Sequence, residues 1–281
     1  MSEARKIAAS DGAQLSVETH GDGMPIVFSC GYSTTRENFR PLVEPLVAAG
    51  HRVVLWDFRG HGESDAPADA GAYSFDQVID DLGRVLDATV HGEAAVLAGF
   101  SFGGALSLHF TLRHPARVRA LVLLDTGPGF KNPEAQERWL AQVERIAVNV
   151  ETKGLESFVG SRAAATAIGR RPELPAAQRA ARAIAAMQPH GVAHFGRRVA
   201  GPVPACIDEL AQITVPALVV IGAEDEAYLR AADVMAARIP GAAKVVIPGA
   251  GHVTTIEEPA AVTAAILGFL RTLPGSPTPG R

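Results

Sequence analysis

Near the middle of the chain, Gly99-Phe100-Ser101-Phe102-Gly103-Gly104 sets a serine between glycines at the Gly-x-Ser-x-Gly spacing. A serine hydroxyl is a poor nucleophile at neutral pH, so chemistry at Ser101 needs a neighbouring base and a third group that fixes the tautomer of that base. The fitting chemistry is acyl transfer. It requires a sharp strand-to-helix turn that lifts the hydroxyl clear of a sheet at a helix N-terminus, where amide N–H groups and the helix dipole favour developing negative charge. Nine histidines are available as the base. Glycine and serine are common, so the spacing gains meaning only from the elements around it.

Those elements fit. Ala95-Val96-Leu97-Ala98 reads as a short buried strand ending at Gly99, and the residues after Ser101 read as a helix reaching about His114. Further β-branched runs at Ile26–Phe28, Val53–Trp56, Val118–Leu124, Ala217–Ile221 and Lys244–Ile247 alternate with longer amphipathic segments. That alternation is the mark of an α/β fold with a mostly parallel sheet. Ser74-Phe75-Asp76-Gln77 reads as a capping box opening a helix to about Val90, and Pro259 opens a last helix running to about Leu273. From Gly127 to Pro204 the rhythm stops and only helical patterning remains. This stretch reads as a helical cap inserted between two sheet-forming halves, placed to cover a site.

Composition bounds the function classes. The 281 residues are 47% hydrophobic and 20% charged, enough for a large core, which excludes wholesale disorder and a fibrous repeat. A net charge of −4, from 26 Lys+Arg and 30 Asp+Glu, argues against a nucleic-acid binder working by bulk charge. Cys30 and Cys206 cannot build a disulfide framework and suit a cytoplasmic protein. Met1 to Lys6 is polar and unlike a signal peptide, and no run approaches the roughly 20 apolar residues that span a bilayer, so no membrane partner is expected. No Gly-x-Gly-x-x-Gly opens the first βα unit, and no phosphate loop occurs, so no cofactor is expected. His190 and His194 have i,i+4 spacing, but Pro189 and Gly191 weaken a helix there and no metal is expected. Residues 128–205 carry eleven Lys or Arg against six Glu, a net +5 that leaves −9 for the rest. Either a solvated helical face or an attraction for anionic substrates would account for it.

With these motifs the chain resembles the α/β-hydrolase fold group of esterases, lipases and carbon–carbon bond hydrolases, from Ile7 to Leu273. The resemblance rests on the Ser101 turn and on Trp56-Asp57-Phe58-Arg59-Gly60-His61-Gly62-Glu63-Ser64-Asp65. It rests also on Ile221-Gly222-Ala223-Glu224-Asp225 and Pro248-Gly249-Ala250-Gly251-His252. It implies a mostly parallel central sheet flanked by helices, with the cap inserted after the sixth strand. The core would be residues 1–127 and 206–273, the cap 128–205, and 274–281 a flexible tail.

The family order of nucleophile, acid and base implies Ser101, Asp225 and His252, since His252 is the only histidine after Asp225. Asp125, at the end of the preceding strand, is the other candidate acid, because some relatives place theirs there. The resemblance implies an oxyanion hole from the backbone N–H groups of Phe102 and Tyr32. The loop before Tyr32 reads Cys30-Gly31-Tyr32 where the family usually has His-Gly-x, so the loop's usual side-chain hydrogen bond is in question. His61 reads as a residue that fixes a loop. Cys30, Phe100, Phe130, Trp139, Phe158 and Phe195 are candidates for a pocket taking a small, largely apolar substrate. The implied activity is cofactor-independent cleavage of a carboxylic ester, lactone or activated acyl compound through an acyl-enzyme. Hydrolysis of a carbon–carbon bond in a vinylogous diketone, perhydrolase-type chemistry and a slow-turnover small-molecule receptor stay open, as does a homodimer.

Overall fold

Strands made of Val, Ile, Leu and Ala without polar alternation need cover on both faces, which is the condition of a parallel sheet between helices. In the computed structural model, which describes residues 2–274, eight strands occur among those residues. They are β1 (Ser2–Ala8), β2 (Gln14–His20), β3 (Met24–Ser29), β4 (His51–Trp56), β5 (Ala95–Phe100), β6 (Val118–Leu124), β7 (Ala217–Gly222) and β8 (Ala243–Ile247). They form one sheet in the order β1-β2-β4-β3-β5-β6-β7-β8. β1 pairs antiparallel with β2, and β2 antiparallel with β4; every other pairing is parallel.

The six later strands coincide with the runs read from the sequence. β1 and β2 were not expected. β1 (Ser-Glu-Ala-Arg-Lys-Ile-Ala) is an edge strand that is mostly exposed, so burial imposes little apolar pattern on it.

The helices are α1 (Arg40–Ala48), α2 (Phe75–Thr89), α3 (Phe102–Arg113), α4 (Pro133–Val159), α5 (Ala165–Ile168), α6 (Pro175–Ala185), α7 (Pro189–Phe195), α8 (Glu226–Arg238), α9 (Thr254–Glu257) and α10 (Pro259–Leu270). The Ser74 side chain accepts from the Gln77 amide at the start of α2, and Pro259 is the first residue of α10. α10 ends at Leu270, three residues before the expected end, and closes in turns. α2 and α3 pack together, as do α1 and α10. The first pair lies against β1, β2, β3, β5 and β6, and the second against β4, β7 and β8.

Between β6 and β7 the chain is helical, with α4 to α7 followed by a π-helical turn at Gly196–Ala200 and no strand among the described residues. α4 breaks at Gly154, whose φ of 78° lies in the left-handed region. Among the described residues no helix is long and apolar enough to cross a membrane. The expected tail lies, from residue 275 on, outside the described residues.

The fold places chemistry along one line. Cys30, Ser101, Asp125 and Asp225 all stand just beyond the C-terminal ends of parallel strands β3, β5, β6 and β7, and His252 follows β8 by five residues. Ligands of open α/β sheets gather at that edge.

Candidate active site

The turn at Ser101 begins with steric necessity. A Cβ on Gly99 would come within 2.2 Å of the Gly103 carbonyl oxygen, and one on Gly103 within 2.1 Å of the Ser29 carbonyl oxygen. Only glycine lets β5, α3 and the end of β3 approach so closely. Between these glycines Ser101 is held at φ 51°, ψ −118°, a conformation costly for a residue with a Cβ. The surroundings hold it there. Its amide donates to the Leu124 carbonyl at 2.9 Å, and its carbonyl accepts from Thr126 Oγ1 at 2.5 Å and from the Gly104 amide at 3.0 Å. The strain therefore rests on hydrogen bonds from β6 and the residues after it.

His252 and Asp225 converge on this serine. His252 Nε2 lies 3.2 Å from Ser101 Oγ, and His252 Nδ1 lies 2.8 Å from Asp225 Oδ2. The Asp225 carboxylate accepts from Nδ1–H, which leaves the Nε2 lone pair facing the Ser101 hydroxyl. The imidazole is also fixed by its neighbours, with the Phe100 ring 5.1 Å away and the Tyr228 ring stacked on it at 4.8 Å.

Asp125 takes a different post. Its Oδ1 accepts from the Gly222 amide at 2.9 Å, and its Oδ2 from the Thr254 hydroxyl at 2.5 Å and the Thr254 amide at 3.3 Å. It thus braces the end of β7, which leads to Asp225, against the loop that carries His252. Complete burial pushes its carboxyl up to about 7.

The Cys30-Gly31-Tyr32 loop is held from outside. The Gly31 amide donates to Thr34 Oγ1 at 2.8 Å, and the Ser33 amide donates to His61 Nε2 at 3.1 Å. Burial pushes His61 down to about 4, so the ring stays neutral and Nε2 can accept, while Nδ1 faces the Arg59 carbonyl at 3.3 Å. His61 thus supplies a side-chain hydrogen bond to a loop whose customary histidine is cysteine. Burial pushes the Cys30 thiol well above its usual range, so it is a packing residue. Among the described residues, neither the Tyr32 nor the Phe102 amide has a protein acceptor outside regular helix and strand bonding, and Phe102 is the first residue of α3.

The expected pocket residues separate into groups. Phe195 joins Phe102, Phe58, His61 and Tyr32, at ring separations of 5.2, 5.3, 4.6 and 6.4 Å. Phe100 lies on His252. Phe130 and Trp139 pair with each other at 6.3 Å, and the Trp139 indole donates to the Ala200 carbonyl. Phe158 is buried within the inserted helices, and no ring contact joins it to the site among the described residues. His190 and His194 stand 6.0 Å apart, with His190 Nε2 facing the Ala66 carbonyl.

Two residues near the site gave no signal in sequence. Tyr228 lies three residues past Asp225 in the first turn of α8, where nothing in the spacing marks it. Glu257 is buried in α9, where its Oε2 accepts from the Gly251 amide at 2.9 Å and its Oε1 from the Arg170 amide at 3.1 Å. It ties the His252 loop to the inserted helices. Arg170 and Arg171 also reach Glu224 and Glu258, and Lys131 reaches Asp208, so part of the basic excess of the insertion meets acids of the sheet-bearing part.

A sequence model of the alpha/beta hydrolase fold matches residues 24–259. The chain belongs to the α/β-hydrolase family. Its structure is similar to a thermophilic esterase from Thermogutta terrifontis, with a TM-score of 0.79 and 28% identity over 96% of this chain and 98% of that one. It is similar also to the enol-lactonase from Burkholderia xenovorans LB400, with a TM-score of 0.80 and 26% identity over 95% of this chain and 100% of that one. A 2-hydroxymuconate semialdehyde hydrolase of Pseudomonas sp. (strain CF600) is 41% identical over 123 residues, 43% of this chain and 42% of that protein. As an α/β-hydrolase-family enzyme, this protein carries its serine, histidine and two aspartates at the strand ends where the fold gathers its loops.

Proposed function

We propose that this enzyme is a cofactor-independent serine hydrolase of small, largely apolar carboxylic esters, lactones or activated acyl compounds. The observation that carries the reading is the chain of contacts from Asp225 Oδ2 through His252 to Ser101 Oγ, 2.8 and 3.2 Å long, on a strained turn at a helix N-terminus. Ser101 is the nucleophile, His252 the general base and Asp225 the group that holds the base. The Ser101 proton passes to His252 Nε2 as Oγ bonds the acyl carbon. The oxygen of the tetrahedral intermediate takes its hydrogen bonds from the Phe102 and Tyr32 amides. His252 then gives its proton to the departing alcohol. In the second half it takes a proton from water, the hydroxide so formed bonds the acyl carbon, and the Oγ–acyl bond breaks as His252 returns the proton to Ser101, releasing the acid.

The aromatic side chains of Phe100, Phe102, Tyr32 and Phe195 favour an apolar acyl or alcohol group over a highly charged one. Residues 128–205 serve as the cap. Support comes from the stacking of Phe195 on Tyr32 and from Arg170, which bonds both Glu224 and Glu257. The test is a panel of chromogenic esters and lactones of increasing chain length on the wild type and Ser101→Ala. Hydrolysis by the wild type and none by the folded variant is the expected result. Equal turnover by the two proteins refutes the assignment.

A further inference from the structure

Glu224 precedes Asp225 and Gly251 precedes His252, so a group that holds both neighbours sets the reach of the acid toward the base. One side chain from the inserted helices does so. Arg170 follows α5, and its Nη1 donates to Glu224 Oε2 in the Asp225 loop. Its Nε and Nη2 face Glu257 Oε2 at 3.4 and 3.3 Å, and its amide donates to Glu257 Oε1 at 3.1 Å. The same Glu257 Oε2 accepts from the Gly251 amide at 2.9 Å. Nη2 also reaches the Gly249 carbonyl at 3.4 Å.

Two glycines make this grip possible. A Cβ on Gly251 would come within 2.5 Å of Arg170 Nε, so the guanidinium lies directly on the backbone that leads to His252. A Cβ on Gly169, whose φ is 85°, would come 3.0 Å from Glu257 Cγ. Charge then holds the grip closed. The Glu257 side chain is fully buried, and among the described residues Arg170 is the one cation bonded to its carboxylate. A buried carboxylate is costly without its cation, so Glu257 fixes Arg170 in place. The guanidinium is a rigid planar fork, so its remaining nitrogen fixes Glu224 relative to Glu257. Asp125 joins the same two loops from the end of β6, through the Gly222 amide and Thr254.

We propose that Arg170 is a positioning residue of this site. Through Glu224 and Glu257 it sets the spacing of the loops that carry Asp225 and His252, and with it the 2.8 Å contact between Oδ2 and Nδ1. Among the described residues it makes no hydrogen bond to Ser101, Asp225 or His252, so it acts only through the two glutamates. The insertion thereby helps to build the site it covers. The inference rests on Ser101, His252 and Asp225 acting as the triad proposed above.

Arg170→Ala is tested with p-nitrophenyl butyrate and a fluorophosphonate probe, well below the melting temperature of the variant. The kcat and the labelling rate should fall roughly 10- to 100-fold with KM unchanged, since misplacing a reacting group by about 1 Å can cost that much. The far-downfield proton resonance of His252 Nδ1–H, which reports the bond to Asp225, should move upfield. Arg170→Lys keeps the charge that Glu257 needs for folding, but its single nitrogen cannot span both carboxylates. It should lose roughly three- to tenfold in kcat. Wild-type kcat in either variant, a rise in KM alone or an unmoved resonance overturns the role of Arg170 while leaving the nucleophile in place. A wild type that does not label, beside an equally inert Ser101→Ala, overturns the assignment of Ser101 and the role of Arg170 with it.

Discussion

Two groups of polar side chains stand at the same edge of the sheet, one around the Asp57–Ser64 loop after β4 and one around Ser101 after β5. In the first, the buried Arg36 guanidinium meets Glu18 at 2.9 Å, Glu63 at 2.6 Å, Ser16 Oγ at 2.9 Å and Asp57. Arg59, fully buried, is bonded by both oxygens of Asp81 at 2.7 Å and by Asp11 at 2.7 Å. Both nitrogens of His61 face protein partners. In the second group Ser101 is half-buried, its backbone is strained, and the Phe102 and Tyr32 amides point to no protein acceptor among the described residues outside regular pairing.

The residue types are nearly the same in both places, with aspartate, histidine and serine in each. What separates them is satisfaction. A buried cluster with every donor matched holds loops in place, because breaking any contact strands a charge. A group with unspent donors and a strained serine keeps its capacity for a substrate.

The sharpest way to test that division is to remove the proposed nucleophile. Ser101→Ala should lower kcat by on the order of 10⁶-fold with an unchanged melting temperature, as measured by ester hydrolysis and thermal unfolding of the same sample. Asp225→Asn should follow, with a loss of about 10⁴-fold, because the amide presents the wrong partner to His252 Nδ1. A loss below about tenfold would mean that Asp125 takes over as the acid, and the loop-bracing role given to it here would be wrong.

The first group should answer in stability instead. Asp81→Ala leaves the buried Arg59 guanidinium with only the Ala72 carbonyl and Asp11, which is partly exposed, and should cost about 3–5 kcal/mol. Denaturant titration gives that figure, and kcat per folded molecule should stay near wild type. A large loss of kcat in a fully folded Asp81→Ala would blur the comparison.

The smallest effect concerns pH. Burial raises the Asp125 carboxyl from its ordinary 3.8 to about 7, so between those values the folded protein holds a proton that the unfolded chain has released. This group therefore stabilises the fold most below pH 4 and loses that contribution as pH rises to 7. His61, whose folded value is depressed to about 4, works in the opposite sense over much of the same window. The difference in melting temperature between Asp125→Asn and wild type isolates the aspartate. It should shift in favour of the variant from pH 4 to pH 7, and a constant difference would refute the assignment.

Much of the fold was legible because its strands are continuous apolar runs and its caps obey local rules. Ser74 caps α2 and Pro259 opens α10 because those signals depend on a few adjacent residues. The N-terminal hairpin was not legible, since an exposed edge strand such as β1 is free of the apolar pattern that burial enforces. Among the site residues, Ser101 announced itself by the glycines that its turn requires. Tyr228 and Thr126 had no local signature, because each touches a site residue distant in sequence, and Glu257 had none because its bond to the Gly251 amide depends on how the His252 loop folds back over a one-turn helix.

The sequence by itself determined the alternation of strands and helices, the strained serine turn and the order in which serine, aspartate and histidine follow one another, since these depend on side-chain size, glycine placement and periodicity along the chain. Only the tertiary structure decided between Asp125 and Asp225 as the partner of His252, gave His61 to the Cys30–Tyr32 loop, and brought the Tyr228 ring onto the His252 imidazole. Both aspartates end buried strands one position apart in the sheet. Which of them meets the imidazole depends on where β7 and β8 release their loops, a distance of a few ångströms that no run of adjacent residues encodes.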